Sequence, residues 1–169
     1  MSLKELNHLE KFFFEAVLYD CCGSANWAEK MEEQRPFEDI ETLYTIAKKI
    51  WFEDCKEADW LEAFTQHPKI GDIKSLEKKF ASTKEWSSQE QAGVNEASME
   101  VLKALAAGNE AYEQKFGYIF IVCATGKTAA EMLDLLNERL PNEPGKEIHI
   151  AMGEQHKITE IRLEKLLSK

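Results

Sequence analysis

The sequence has no run of 18 apolar residues, so no membrane-spanning helix is expected. It also lacks positive charge: 21 lysines and arginines stand against 31 aspartates and glutamates, a formal net charge of -10 over 169 residues. Nucleic-acid binding needs a basic footprint, so that class of partner is excluded. The same balance sets a condition: an anionic ligand must find local positive charge in a negative protein. Cysteine is scarce, with Cys21, Cys22, Cys55 and Cys123 only, and no pair has C-x-x-C spacing. Adjacent Cys21 and Cys22 suit a disulfide poorly, so reduced thiols and a cytoplasmic setting are expected. Met1 to Glu5 lacks the charged-then-apolar layout of a secretory signal. The chain ends Leu167-Ser168-Lys169, one residue short of a peroxisomal Ser-Lys-Leu, and no such address is expected.

Three kinds of chemistry are missing their sequence marks. Gly126-Lys127-Thr128 resembles the end of a phosphate loop, but the motif needs glycine five residues earlier, where Ile121 stands. Of the four histidines, His149 and His156 share a helix face two turns apart, roughly 10 Å along the axis. That is too far for one tetrahedral ion, and His67 with Asp72 and Glu90 is a weak hard-ion set, so no metal is expected. No Gly-x-Ser-x-Gly elbow surrounds Ser87, and Cys123 lies in an apolar run that disfavours a thiolate.

The patterning that is present is helical, and 169 residues suit one domain. A first helix is capped at Ser2 or at Asn7, buries Leu9, Phe12, Phe13, Ala16 and Val17, and breaks at Cys22-Gly23-Ser24. Asn26 opens a short second helix. Asp39 caps a third, to about Phe52, with Ile40, Leu43, Tyr44, Ala47, Ile50 and Trp51 inward. A fourth carries Trp60, Leu61 and Phe64 into His67. Residues 72–86 read as a loop holding a short helix from Leu76 to Phe80. Ser87 opens a long helix to about Ala107, with Gly108 as its stop and a short helix from Asn109 beyond it. Thr128 with Glu131 caps a helix to Leu140, and Pro144 starts a last one, through Ile148, Met152, Ile158 and Ile161 to Leu166. Between them Tyr118 to Ala124 reads YIFIVCA, a seven-residue apolar run without a second strand to pair with. It is either a buried helical start or an extended segment whose backbone faces a ligand.

The most informative stretch runs from Phe64 to Gln91. Pro68 disfavours helix at His67 and fixes its own φ, so an imidazole stands at a helix end on stiff backbone. Downstream comes Ser87-Ser88-Gln89-Glu90-Gln91. A positioned histidine near a glutamate is the minimum for general acid–base work. Ser87-x-x-Glu90 is also a capping box, and a histidine beside proline is also a common loop residue; both readings stay open at this point.

His67-Pro68-Lys69-Ile70-Gly71-Asp72 followed by Ser87-x-x-Glu90-Gln91 resembles the signature of the OHCU decarboxylases, which convert 2-oxo-4-hydroxy-4-carboxy-5-ureidoimidazoline (OHCU) to (S)-allantoin, the last step from urate. Asn26-Trp27-Ala28, Arg35-Pro36-Phe37 and Ile158-Thr159-Glu160-Ile161-Arg162-Leu163 extend the resemblance over roughly Asn7 to Leu167. It implies an all-α, single-domain helical bundle over residues 1–169. The activity it implies is that of a cofactor-independent carboxy-lyase with a small-molecule substrate, working as a homodimer. It makes His67 the acid–base residue and Glu90 its carboxylate partner. Pro68 would fix the turn and touch substrate; Ser87, Ser88, Gln89, Glu90 and Gln91 would bind the ring and ureido edges. Backbone groups of Phe120, Ile121, Val122, Cys123 and Ala124 would close the other side, and Arg162 would pair the substrate carboxylate. Arg139 is a rival arginine outside the matched pattern, and Arg162 could instead make a surface ion pair with Glu160 or Glu164. Ile119 stands where many members carry proline. A helical ligand-binding module, or a decarboxylase of a related ureido acid, is the alternative; intact His67 and Glu90 argue against the module.

Overall fold

The computed structural model describes residues 1–67, Lys74 and 91–168, with backbone alone for residues 91–98. Among them all regular structure is helical: α1 (Leu3–His8), α2 (Lys11–Cys22), α3 (Ala25–Glu33), α4 (Ile40–Lys49), α5 (Glu57–Thr65), α6 (Gln91–Phe116), α7 (Ala129–Arg139) and α8 (Pro144–Leu167). A π-turn, Ile50–Asp54, follows α4 directly. The expected all-α class is what the structure shows. No helix among the described residues is long and apolar enough to cross a membrane. The chain divides into two compact units, one of Met1–His67 with Ile148–Lys169, the other of Pro68–Glu147.

In the first unit, Ser2 caps α1 and Glu5 reaches back, as a capping box requires. The first helix nevertheless breaks at Leu9–Glu10, where one continuous helix is expected. The cause is distant. Arg35 Nη1 donates to the carbonyls of Leu9 (2.7 Å) and Asn7 (3.3 Å), acceptors that a continuing helix would use. Asn7 is not a cap; its amide donates to Phe37 O at 2.9 Å and its oxygen accepts from Phe37 N at 3.0 Å. The break resets the phase of α2. Phe14, Leu18, Cys21 and Cys22 are buried, whereas Phe12 and Phe13 are 74% and 58% exposed, the reverse of the expected stripe. Ser24, not Asn26, caps α3, accepting from Trp27 N at 3.3 Å. Asp39 caps α4 as expected, though Ile40 beside it is exposed rather than inward.

The core of this unit is aromatic. Trp27 donates to Ala47 O at 3.0 Å and Trp51 to Met152 O at 2.8 Å, so each buried indole meets its one polar need on a neighbouring helix. Phe14, Phe64 and Leu163 are buried with them. Truncating either indole should cost about 3–5 kcal/mol.

In the second unit, α6 and α7 pack through Leu102, Leu105, Met132 and Leu136. Helix α6 runs straight through Gly108, the expected stop. A Cβ there would lie 2.6 Å from Leu136 Cδ2, so this glycine serves close helix approach instead of termination. The helix ends at Gly117, with φ +80° and its N–H on Glu113 O at 2.8 Å. Thr128 and Glu131 form the expected capping box. Tyr118 to Ala124 is not helical, which removes the first of the two readings of that run. The expected helix Leu76 to Phe80 and the start of α6 at Ser87 lie outside the described residues.

Candidate active site

Helix α5 stops at Thr65, and the chain turns through Gln66 to place His67 N on Phe64 O at 3.3 Å. His67 therefore stands just past a helix end, half-buried, as the Pro68 argument expects. Its Nε2 lies 2.5 Å from Gln155 Oε1 on α8. Gln155 is completely buried. Its Nε2 donates to Cys22 O at 3.0 Å and, over a longer 3.4 Å, to Thr159 Oγ1.

Gln155 is the residue that sequence reading misses. The apolar stripe of α8 is read through Ile148, Met152, Ile158 and Ile161, yet Ile158 and Ile161 are only half-buried. The buried register is Ile148, Ala151, Met152, Gln155, Thr159 and Leu163, with His156 beside it. The available signal is a glutamine and a threonine at i+3 or i+4 steps from buried apolar residues. A polar side chain at a core position must find partners, and a functional neighbour is one of them.

Arg162 lies two turns beyond Gln155 on α8. Its Nη1 donates to Cys21 O at 3.2 Å and reaches Asp20 O at 3.4 Å, both in the last turn of α2. A cation at a helix C-terminus meets unsatisfied carbonyls and the negative end of the dipole. Gln155 and Arg162 thus anchor to three successive carbonyls of one helix end. Among the described residues no ion pair joins Arg162 to Glu160 or Glu164; Glu160 lies against His156 Nε2, at 3.2 Å.

The second unit carries the YIFIVCA segment. Arg139 Nη1 donates to Ile121 O at 2.7 Å, and Lys127 Nζ to Cys123 O at 2.9 Å. Arg139 is buried, pairs with fully buried Glu147, and stacks over Phe120 at 4.6 Å. Tyr112 OH donates to the same carboxylate at 2.5 Å, and Asn142 Nδ2 to its other oxygen at 2.9 Å. Burial, then the bond to Glu147, pushes the Tyr112 phenol well up, which keeps it a donor. Arg139 is therefore an internal structural cation. Sequence alone leaves it as a rival for the substrate.

Of the expected site residues, His67, Phe120, Ile121, Val122, Cys123, Ala124 and Arg162 are described. Pro68, Ser87, Ser88, Gln89 and Glu90 lie outside the described residues, and of Gln91 only its backbone at the head of α6 is described. Among the described residues no group of three histidine, cysteine or acidic side chains could hold a metal ion.

Fold and site define a protein that is all-helical among the described residues and that presents the His67 imidazole, hydrogen-bonded to a buried amide, just past a helix end. The chain matches the OHCU decarboxylase family model over residues 7–164 and belongs to that family of decarboxylases. It is 43% identical over 148 residues to the uric acid degradation bifunctional protein TTL of Arabidopsis thaliana, a match covering 88% of this chain and 45% of that protein. It is 25% identical over 169 residues to the 2-oxo-4-hydroxy-4-carboxy-5-ureidoimidazoline decarboxylase of Haloferax volcanii, covering 99% of this chain and 97% of that one. The crystal structure of OHCU decarboxylase in the presence of (S)-allantoin matches it with a TM-score of 0.71 at 40% identity, over 95% of this chain and 100% of that chain. The chain spans less than half the length of the bifunctional Arabidopsis relative.

Proposed function

We propose that the chain is a carbon–carbon lyase that decarboxylates OHCU to (S)-allantoin in urate degradation, without a cofactor. The observation that carries this reading is the His67 imidazole, fixed at a helix end by a completely buried amide, in a chain of this family. The chemistry asks for little else. When the bond to the carboxylate breaks, its electron pair flows toward the substrate's adjoining C=N, and CO2 leaves. The nitrogen that receives the pair takes up a proton; the substrate hydroxyl then gives up its own as a carbonyl forms, and one proton is added to a single face of the neighbouring carbon. A positioned acid–base pair and orienting amides are enough for these transfers.

In this reading His67 exchanges protons with the substrate and Glu90 is its carboxylate partner. Pro68 fixes the turn, and Ser87, Ser88, Gln89 and Gln91 bind the ring and ureido edges. Backbone groups of Phe120 to Ala124 face the other side of the ligand. Arg162 neutralises the substrate carboxylate. Its bonds to Asp20 and Cys21 use Nη1, and a guanidinium has five donors. The protein works as one cytoplasmic domain and as a homodimer; the cytoplasmic reading is supported by four cysteines outside any disulfide, and the homodimer by family resemblance.

The test is a pair of substitutions in an assay where OHCU is generated in place from urate. His67→Asn should lower the rate by about 10²–10⁴, the usual contribution of one acid–base group. Glu90→Gln should lose a comparable amount if Glu90 moves a proton. Near-normal turnover in Glu90→Gln would make Glu90 a capping residue, because glutamine also completes a capping box. Full activity in His67→Asn would overturn the mechanism.

A further inference from the structure

The hydrogen bonds around Gln155 have only one consistent direction. The Cys22 carbonyl at 3.0 Å can only accept, so the Gln155 atom facing it must be the NH2 nitrogen. Thr159 agrees: its hydroxyl donates to Gln155 O at 3.1 Å, leaving its oxygen to accept from the same NH2. Turning the amide over would set its oxygen against the Cys22 carbonyl in a fully buried place, two acceptors with no proton between them. The amide oxygen must therefore face His67 Nε2, 2.5 Å away. A carbonyl-type oxygen at that distance requires a proton on Nε2.

We infer that Gln155 is a positioning residue, which fixes neutral His67 as the Nε2–H tautomer and so assigns proton exchange to Nδ1. The ring nitrogen that is protonated is set by the bond the other nitrogen makes. The arrangement suits both states of an acid–base residue. When neutral His67 takes a proton at Nδ1, the imidazolium keeps its Nε2–H bond to Gln155. When it gives that proton back, the same bond remains. No hydrogen bond to Gln155 breaks in either transfer, so the ring keeps one orientation through a cycle. Only the other neutral tautomer, with its proton on Nδ1 alone, is excluded, because it would face a lone pair with a lone pair. The Cys22 carbonyl in the last turn of α2, a residue with no expected part in the site, thus sets the orientation of the amide.

Catalytic use of this arrangement rests on the decarboxylase reading; the tautomer itself does not. Two measurements separate them. In uniformly 15N-labelled wild-type protein, long-range imidazole correlations at a pH where His67 is neutral should show the Nε2–H tautomer in about tenfold excess or more, the bias one buried hydrogen bond supplies. In Gln155→Asn, whose amide is withdrawn from the ring by one methylene, the signal should move toward the mixture seen in free histidine. Gln155→Met removes the amide altogether and serves as the second variant. A wild-type ring protonated on Nδ1, or an unchanged tautomer ratio in a folded Gln155 variant, would overturn the inference whatever the protein's activity. In the decarboxylase assay, Gln155→Asn should lower kcat more than it raises KM. In a His67→Asn background it should cost nothing further, because its effect passes through that ring. An equal loss with and without His67 would make Gln155 a packing residue only.

Discussion

Arg139 Nε and Nη2 both reach Glu147 Oε1, at 2.7 Å and 2.6 Å, and the carboxylate they pair with has no solvent exposure. Removing the arginine leaves that buried charge uncompensated and the Ile121 carbonyl without its donor. Arg139→Ala should cost about 3–5 kcal/mol of stability. Arg162→Ala breaks only carbonyl bonds at the end of α2 and should cost about 1 kcal/mol. Substrate binding should show the opposite order. Arg162→Ala should weaken it by about 2–4 kcal/mol, and the folded fraction of Arg139→Ala, which touches the site only through the Ile121 carbonyl, by clearly less. Urea unfolding and ligand titration of both variants test this; equal effects on binding would refute the assignment of Arg162.

His156 gives a pH dependence of known sign. Its ring is buried against Phe52, and burial lowers its proton affinity from the usual 6.5, with Lys48 acting the same way and Glu160 opposing both. The Glu160 carboxylate is 3.2 Å from Nε2, yet neither ring nitrogen makes an aligned hydrogen bond among the described residues, so burial prevails. The unfolded chain then binds this proton more readily than the folded one. Stability is fully present above about pH 6.5 and is lost as pH falls from there toward the folded value. His156→Phe should flatten the fall of the thermal midpoint between pH 7 and lower pH. A variant with the wild-type slope would contradict this.

How much of this is legible in the sequence depends on how far away the cause lies. The caps at Asp39 and Thr128 are read correctly because cap and helix are neighbours in sequence, and Ser2 is one of the two caps that the sequence offers for the first helix. The break at Leu9 is not, because Arg35, 26 residues on, takes the carbonyl. Gly108 follows a local rule for helix ends, but Leu136 on another helix needs the space. Three consecutive phenylalanines, Phe12 to Phe14, fit any helical phase, so periodicity cannot choose the buried one. At the site, the HPKIGD motif marks His67, whereas Gln155 is hidden by being polar in a stripe read for apolar residues.

The thiols should be inert in the folded protein. Cys21, Cys22, Cys55 and Cys123 are all buried, and none is in a disulfide. Burial pushes the Cys21 thiol up to about 11, the nearby Arg162 notwithstanding, and Cys55 to about 12; Cys22 is raised further. At pH 8 iodoacetamide should label the native chain about a hundredfold more slowly than the urea-unfolded chain. Rapid labelling of any one cysteine in the native state would contradict the burial.

Cofactor independence is tested by removal. After exhaustive dialysis against EDTA the decarboxylase activity should be unchanged. Activity lost on dialysis and restored by a divalent ion would place a metal in the reaction.

The central claim is stereospecific decarboxylation, and circular dichroism of the product tests it most directly. OHCU made in place from urate by urate oxidase and hydroxyisourate hydrolase decays unaided to racemic allantoin, which has no signal. With the wild-type chain present, OHCU should disappear faster and the allantoin formed should carry the dichroism of the S enantiomer. Unaccelerated decay to a silent, racemic product would contradict the decarboxylase reading.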